Sequence, residues 1–287
     1  MKTVKEDYYT ENYNERFLAR QQQLFRDGGF EKRIQFVHDF AAGYLNGHAV
    51  LDLGCGVGTF ALDFAKRGCQ TVGLDISPRS IEACVENQKN LNIENATFIK
   101  ADIQENVFQP ESFDSIIAAD IIEHLNPILL RKALENCFTW LRKGGALVIH
   151  TFPTQYYYQV MTPASLALLP LMWMSPYNAE RYVRFLHETF FNMISLVVFR
   201  KTIHRYFATR GHCNPPHPKA FYNIVKNAGF TIKKYELFDL PLSVLKMNQP
   251  SFSFLKSIIN KQDILKSSIG VVAVKSGDEV PEGVSHN

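Results

Sequence analysis

Three glycines alternate strictly in the stretch VLDLGCGVGTF, at Gly54, Gly56 and Gly58, and a carboxylate, Asp52, stands two residues before the first. Glycines at this density leave the backbone bare, so a ligand can approach its amide groups directly. A second carboxylate, Asp75, follows Gly54 by 21 residues in VGLDIS, and a third, Asp102, lies in KADI. In an apolar strand end a carboxylate is costly unless it meets a donor or a cation. Asp52 therefore either faces a positively charged ligand or accepts from nearby backbone. Asp75 is spaced to accept two hydrogen bonds from a ribose diol. Asp102 can accept from an adenine amino group, with Ile76 and Ile103 flanking the ring, or it can cap an ordinary turn. At three successive strand ends, such residues describe a cradle for a nucleoside.

The type of nucleoside is narrowed by what the turn lacks. A dinucleotide fingerprint asks for Gly-x-Gly-x-x-Gly/Ala, and Thr59 stands where its last glycine or alanine would be. No Gly-Lys-Ser/Thr follows, which excludes a P-loop. S-adenosylmethionine carries a sulfonium and an ammonium but no phosphate, and suits an acidic turn better than a dinucleotide does. The diol alone does not separate the two, because NAD carries it as well. An NAD-dependent oxidoreductase, and a nucleoside-binding scaffold without catalysis that works through an apolar insertion, stay open beside the methyl-donor reading.

The elements that must position these residues follow from hydrophobic period and punctuation. FEKRIQFVHDFAAGYL repeats apolar residues at helical spacing, and HAVLDL is an apolar run of strand length. TFALDFAKRG reads as a helix stopped by Gly68, CQTVGLDI as a strand, and SPRSIEACVENQKNL as a helix with Ser77 as N-cap and Pro78 first. Strands ATFIKADI and FDSIIAADI follow. The next helix starts at Asn126, with Leu130, Leu134, Cys137 and Leu141 on one face, and is expected to close at Gly144 before the strand ALVIHTF. Such alternation implies a parallel sheet covered on both faces, with ligands at the carboxyl ends of its strands.

Near Pro153 the alternation stops. Thr154 to Asn178 contains no charged residue, and FFNMISLVVF forms a second apolar block before Arg200, Lys201, Arg205 and Arg210. This predicts a helical insertion over 154–203, readable as a lid over an apolar acceptor, as a dimer interface, or as a surface meeting anionic headgroups through 154–210. The sheet pattern resumes with KAFYNIVKNAG, FTIKKYELF and SIGVVAVK. The expected organisation is an N-terminal arm at 1–29, a discontinuous domain at 30–153 and 204–276, the insertion, and a frayed tail at 277–287.

Composition bounds the functions. At 287 residues and 46% hydrophobic content the chain can bury a full core. With 31 basic and 28 acidic residues spread along it, no polyphosphate footprint is visible and nucleic acid is a poor partner. Five scattered cysteines without a Cys-x-x-Cys pair, and no apolar signal core, fit a cytoplasmic compartment. LALLPLMWM is too short to span a bilayer.

Taken in order, VLDLGCGVGTF, VGLDIS, KADI, FDSIIAADIIEHL, LRKGGALVIHTFP and HPKAFYNIVKNAGF resemble the class I S-adenosylmethionine-dependent methyltransferases, in particular the branch with the ubiquinone-biosynthesis O-methyltransferases. The resemblance covers roughly Phe30 to Pro153 and Pro216 to Lys275. It implies an α/β, three-layer Rossmann-like fold, whose seven-stranded and mostly parallel sheet has an antiparallel last strand. It implies S-adenosylmethionine as cofactor and S-adenosylhomocysteine as product. Gly54, Cys55 and Gly56 would pass backbone against the cofactor, Asp75 would hold the ribose, and Asp102 and Ile103 would face adenine. Ala119, just past the fourth strand, would offer its carbonyl to the methionine ammonium, with Asp120 beside it. Methyl transfer is the implied activity. A small, apolar or aromatic acceptor is expected from Tyr156, Tyr157, Tyr158, Leu166, Leu169, Met172 and Trp173 of the uncharged segment, with O-methylation favoured. The insertion matches no part of the family pattern.

In-line displacement asks the protein mainly to position the acceptor and exclude water, but an O- or N-acceptor must still lose a proton. His124, in IIEHL after the fourth strand, is the first candidate base; alternatively Glu123 and His124 brace the following helix. His150 and His212 come next, both expected on the cofactor-facing rim. His212, Cys213 and His217 lack a fourth ligand and are broken by prolines, so a turn is favoured and no metal is assigned. Tyr8, Tyr9 and Tyr13 belong either to a segment folded over the cofactor or to an exposed polar arm.

Overall fold

In a computed structural model of the chain, residues 15–152, 154, 216–239 and 266–276 are described. The expected insertion beyond Thr154, His212 and Cys213, the tyrosines of the arm, and the tail from 277 lie outside them. Chain order gives α1 (Glu15–Arg26), α2 (Glu31–Phe40), β1 (Ala49–Leu53), α3 (Thr59–Lys66), β2 (Gln70–Asp75), α4 (Pro78–Asn90), β3 (Ala96–Lys100) and β4 (Phe113–Ala119). A 3-10 turn (Ile122–His124), α5 (Pro127–Trp140), β5 (Leu141–Thr151), α6 (Pro218–Asn227), β6 (Phe230–Asp239) and β7 (Lys266–Lys275) complete it.

The strands form one seven-stranded sheet in the order β3-β2-β1-β4-β5-β7-β6. The first five are parallel, and β7 runs antiparallel to both β5 and β6. Strand order reverses between β1 and β4, so the carboxyl ends of β1, β2, β4 and β5 share one rim at the switch point. Alternation of side chains feeds two cores. Leu51, Leu53, Ile116, Ala118, Leu147 and Ile149 face α5 and α6, while Val50, Ile117 and Val148 face α2 and α3. The result is the expected three-layer α/β architecture.

Helix starts follow the sequence signals. Ser77 Oγ accepts from Ser80 N at 3.2 Å, and Asn126 Oδ1 accepts from Ile128 N and Leu129 N at 3.0 Å, each cap preceding a proline at the first helical position. One boundary differs from expectation. α5 ends at Trp140, and Leu141 is extended, opening β5 opposite Phe113 rather than extending the helix to Gly144. Ser115 then pairs with Ala146, so the intervening residues of β5 bulge outward, and Gly144 takes the left-handed backbone (φ +80°) there. Leu141 is fully buried either way, which is why its spacing mimicked a helical position.

The segment expected as an arm is partly a packed helix. In α1, Phe25 packs on the cluster of Leu62, Ala65 and Ala96, and Arg26 pairs with Glu86 of α4 at 3.3 Å.

Candidate functional site

The glycine turn is fixed from β2. Gly54 N and Cys55 N both donate to Leu74 O, at 2.8 and 3.0 Å, and Gly56 N donates to Asp75 Oδ2 at 2.9 Å. Ser77 N reaches Asp75 Oδ1 at 2.9 Å, so two backbone amides hold this carboxylate at the strand tip. Burial nevertheless pushes Asp75 up to about 6, the amides offsetting only part of the desolvation. A side chain at Gly54 would be strained on two counts. Its φ is +74°, and a Cβ there would lie 2.8 Å from Ile121 Cδ1. A Cβ on Gly56 would meet nothing within 4 Å, so that side of the turn is open.

A cleft of about 480 Å³, continuous with solvent, opens beside the turn. Gly54, Asp75, Ile76, Asp102, Ile103, Ile121, His124 and Leu125 are among the residues that line it, and none of its described lining residues is lysine or arginine. Asp102 also caps its own turn: Oδ1 accepts from Gln104 N at 3.1 Å and Oδ2 from Gln104 Nε2 at 2.7 Å. It lies two residues past the end of β3.

Asp52 sits beneath the turn. Its Oδ2 accepts from Ala61 N in the first turn of α3 at 3.0 Å, the backbone partner that was one of the two sequence readings. Burial raises it to about 7, more than that bond lowers it. The Cys55 side chain packs away from solvent, its Sγ 3.8 Å from Cys84 Sγ. The hydrogen bond with Cys84, and then burial, push its thiol well up.

Across the switch point, Ala119 is the last residue of β4 rather than the residue after it, and pairs with His150. Asp120 follows with φ +53°, a conformation that aspartate tolerates better than most residues. Its amide donates to His150 O at 2.8 Å, and its Oδ1 lies 2.7 Å from His150 Nδ1. Its Oδ2 is paired with Arg33 of α2. Burial alone would raise Asp120, but Arg33 and His150 override it and hold the carboxyl below its ordinary value. Phe36 meets the His150 ring edge-on, centroids 5.2 Å apart, and Phe238 meets Phe36 at 4.9 Å.

His124 lines the cleft from the 3-10 turn. Its neighbour Glu123 is buried and accepts from Thr151 Oγ1 at 2.7 Å, tying that turn to the tip of β5. Burial, and then the nearby Asp120, push Glu123 well above the ordinary glutamate value. His150 lies one residue before the end of β5 and is not among the residues lining the cleft, while His217 precedes α6. Among the described residues no group of three or more His, Cys, Asp or Glu is placed to hold a metal ion, and no helix is long and apolar enough to cross a membrane.

Sequence reasoning missed Arg33, Ile121, Leu125 and the bracing role of Thr151. Arg33 carries no local signal: it reads as one charge on the polar face of an amphipathic helix, and its partner lies in another layer.

A sequence profile of the methyltransferase domain matches residues 45–209, more than half of the chain. This chain belongs to the methyltransferase domain family. Among curated relatives, it is 33% identical over 107 residues to the pavine N-methyltransferase of Thalictrum flavum subsp. glaucum, covering 36% of this chain and 29% of that one. It is 28% identical over 129 residues to the ubiquinone biosynthesis O-methyltransferase of Nitrobacter winogradskyi, covering 42% and 48%. The chain thus spans less than half the length of either relative. A solved methyltransferase from Archaeoglobus fulgidus shares the fold with a TM-score of 0.53 at 19% identity, over 85% of this chain and 94% of that one. The names of the two curated relatives specify different acceptor atoms, nitrogen in one and oxygen in the other.

Proposed function

We propose that this chain is an S-adenosylmethionine-dependent methyltransferase acting on a small, apolar or aromatic acceptor, with a hydroxyl as the favoured methylated group. The observation that carries this reading is a cleft lined by carboxylates and, among the described residues, by no lysine or arginine, beside a glycine turn open at Gly56. That chemistry fits a cationic, phosphate-free nucleoside and is a poor match to a pyrophosphate.

When bound, the cofactor supplies an electrophilic methyl group on a sulfonium. Asp75, anchored by Gly56 N and Ser77 N, keeps lone pairs for a ribose diol. Asp102, Ile76 and Ile103 would hold the adenine edge and faces, and the backbone of Gly54, Cys55 and Gly56 the sulfonium side. The Ala119 carbonyl would receive the ammonium end, with Asp120 beside it. Asp52 contributes from beneath, as negative field rather than as a contact.

Either acceptor sheds a proton on methylation, but a neutral amine attacks before its proton leaves, whereas a hydroxyl needs a base as it attacks, so the imidazoles near the strand ends favour O-methylation. Half-buried Phe36 and Phe238 beside His150 favour an apolar or aromatic body for that acceptor. The direct experiment measures S-adenosylhomocysteine release across phenols, quinols, amines and lipids. Turnover confined to hydroxyl acceptors supports the reading. Turnover of amines alone would overturn the acceptor class, and stabilisation by NAD without turnover of any methyl acceptor would overturn the function.

A further inference from the structure

We infer that His150 is the base of this site and that Arg33 and Asp120 are its positioning residues, forming a chain Arg33–Asp120–His150 that fixes which ring nitrogen is free. The inference rests on the methyltransferase reading and names the proton path within it.

Three observations place these groups in series. Asp120 grips His150 twice, through its amide to the His150 carbonyl at 2.8 Å and through Oδ1 to Nδ1 at 2.7 Å. Arg33 occupies the other carboxylate oxygen and keeps Asp120 ionised against its burial. Among the described residues Nε2 of His150 has no hydrogen-bond partner, and the ring is steadied edge-on by Phe36. An ionised Asp120 accepts and cannot donate, so the neutral imidazole must carry its proton on Nδ1, leaving the lone pair on Nε2. Arg33, His150, His124 and Glu123 are the charged or titratable groups that bear on Asp120, and Glu123 is pushed toward its neutral acid. The carboxylate of Asp120 is therefore the anion best placed to steady an imidazolium.

The step balances simply. As the acceptor oxygen's electron pair forms the bond to the methyl carbon, its proton passes to His150 Nε2. The carbon–sulfur bond breaks with its pair retained on sulfur, which changes from sulfonium to thioether. Asp120 stays a carboxylate throughout, and the imidazolium returns its proton to solvent after the product leaves.

The same triad could serve only to pin α2 to the sheet. The tautomer tests the positioning, and the pH dependence of turnover tests the base. The rise of kcat as an imidazole deprotonates should vanish in His150→Gln with S-adenosylmethionine affinity kept, and an unchanged profile there overturns the proposal. Imidazole nitrogen-15 spectra of the full chain at alkaline pH report the His150 tautomer directly. The expected result is a single Nδ1–H tautomer in the wild type, kept in Arg33→Lys, and lost to a mixture in Asp120→Asn and Arg33→Met. An Nε2–H wild type, or a tautomer indifferent to Asp120→Asn, overturns the proposal. If Arg33→Met does not fold, Asp120→Asn and Arg33→Lys still decide it. S-adenosylhomocysteine binding to the wild type is measured in parallel. Binding with a random tautomer rejects this chain of residues alone, whereas a fixed tautomer without binding rejects the cofactor reading on which it rests.

Discussion

At the tips of β1 and β2 burial pushes Asp75 up to about 6 and Asp52 up to about 7, whereas across the switch point Asp120 is held below the ordinary carboxylate range. The residue type is the same on both sides. What differs is the partner: backbone amides of the glycine turn and of α3 on one side, a guanidinium and an imidazole on the other. Amides satisfy hydrogen bonds without neutralising charge, so Asp75 and Asp52 leave a negative site for an incoming cation. Asp120 is already matched by the chain's own cations, and its charge serves to orient a neighbour. One half of the rim is thus built to bind, and the other to position.

The sharpest way to break this comparison is at the turn itself. Gly54→Val forces a β-branched residue into a left-handed backbone against Ile121, and S-adenosylmethionine affinity should fall by more than about 100-fold in calorimetric titration. Retained affinity would mean that the turn does not shape the site. Asp75→Ala comes next, with an expected weakening of about 1.5–3 kcal/mol, roughly 10- to 150-fold in Kd, the range for hydrogen bonds to a charged acceptor.

pH sharpens the comparison further. The folded protein holds Asp75 and Asp52 above the ordinary carboxylate value, so they ionise only as pH rises through about 6 and 7. S-adenosylmethionine should therefore bind about tenfold more tightly at pH 7.5 than at 5.5, with a shallower slope for the thioether product. In the unliganded protein the sign reverses. These two groups favour the fold at low pH, and their contribution is lost as pH climbs from about 4 to 7, which denaturant melts at fixed ionic strength would reveal. The smallest effect is a control in the helix that backs the sheet: Asn126→Ala removes one N-cap and should lower stability by about 1 kcal/mol without changing cofactor affinity.

The binding half was legible in the sequence because its parts are local or evenly spaced. A glycine turn joins consecutive elements, and Asp75 stands at the end of the next strand, so strand–helix alternation alone brings them together. The caps at Ser77 and Asn126 were legible for the same reason. In the positioning half Asp120 and His150 were legible singly, but their pairing and Arg33 were not. Asp120 and His150 are 30 residues apart and meet only through the pairing of β4 with β5, while Arg33 arrives from a helix preceding the whole sheet. The end of α5 escaped because a buried leucine satisfies helix and strand patterns alike, and a glycine in a bulge resembles one that stops a helix.

The most direct test of the central claim is calorimetric titration of the wild type and Asp75→Ala with S-adenosylmethionine and NAD at pH 7.5. The cation-binding rim described above requires heat with S-adenosylmethionine, a marked loss of affinity in Asp75→Ala, and none with NAD. Binding of NAD in preference to the sulfonium, or an Asp75→Ala protein that binds the methyl donor as well as the wild type, would contradict it.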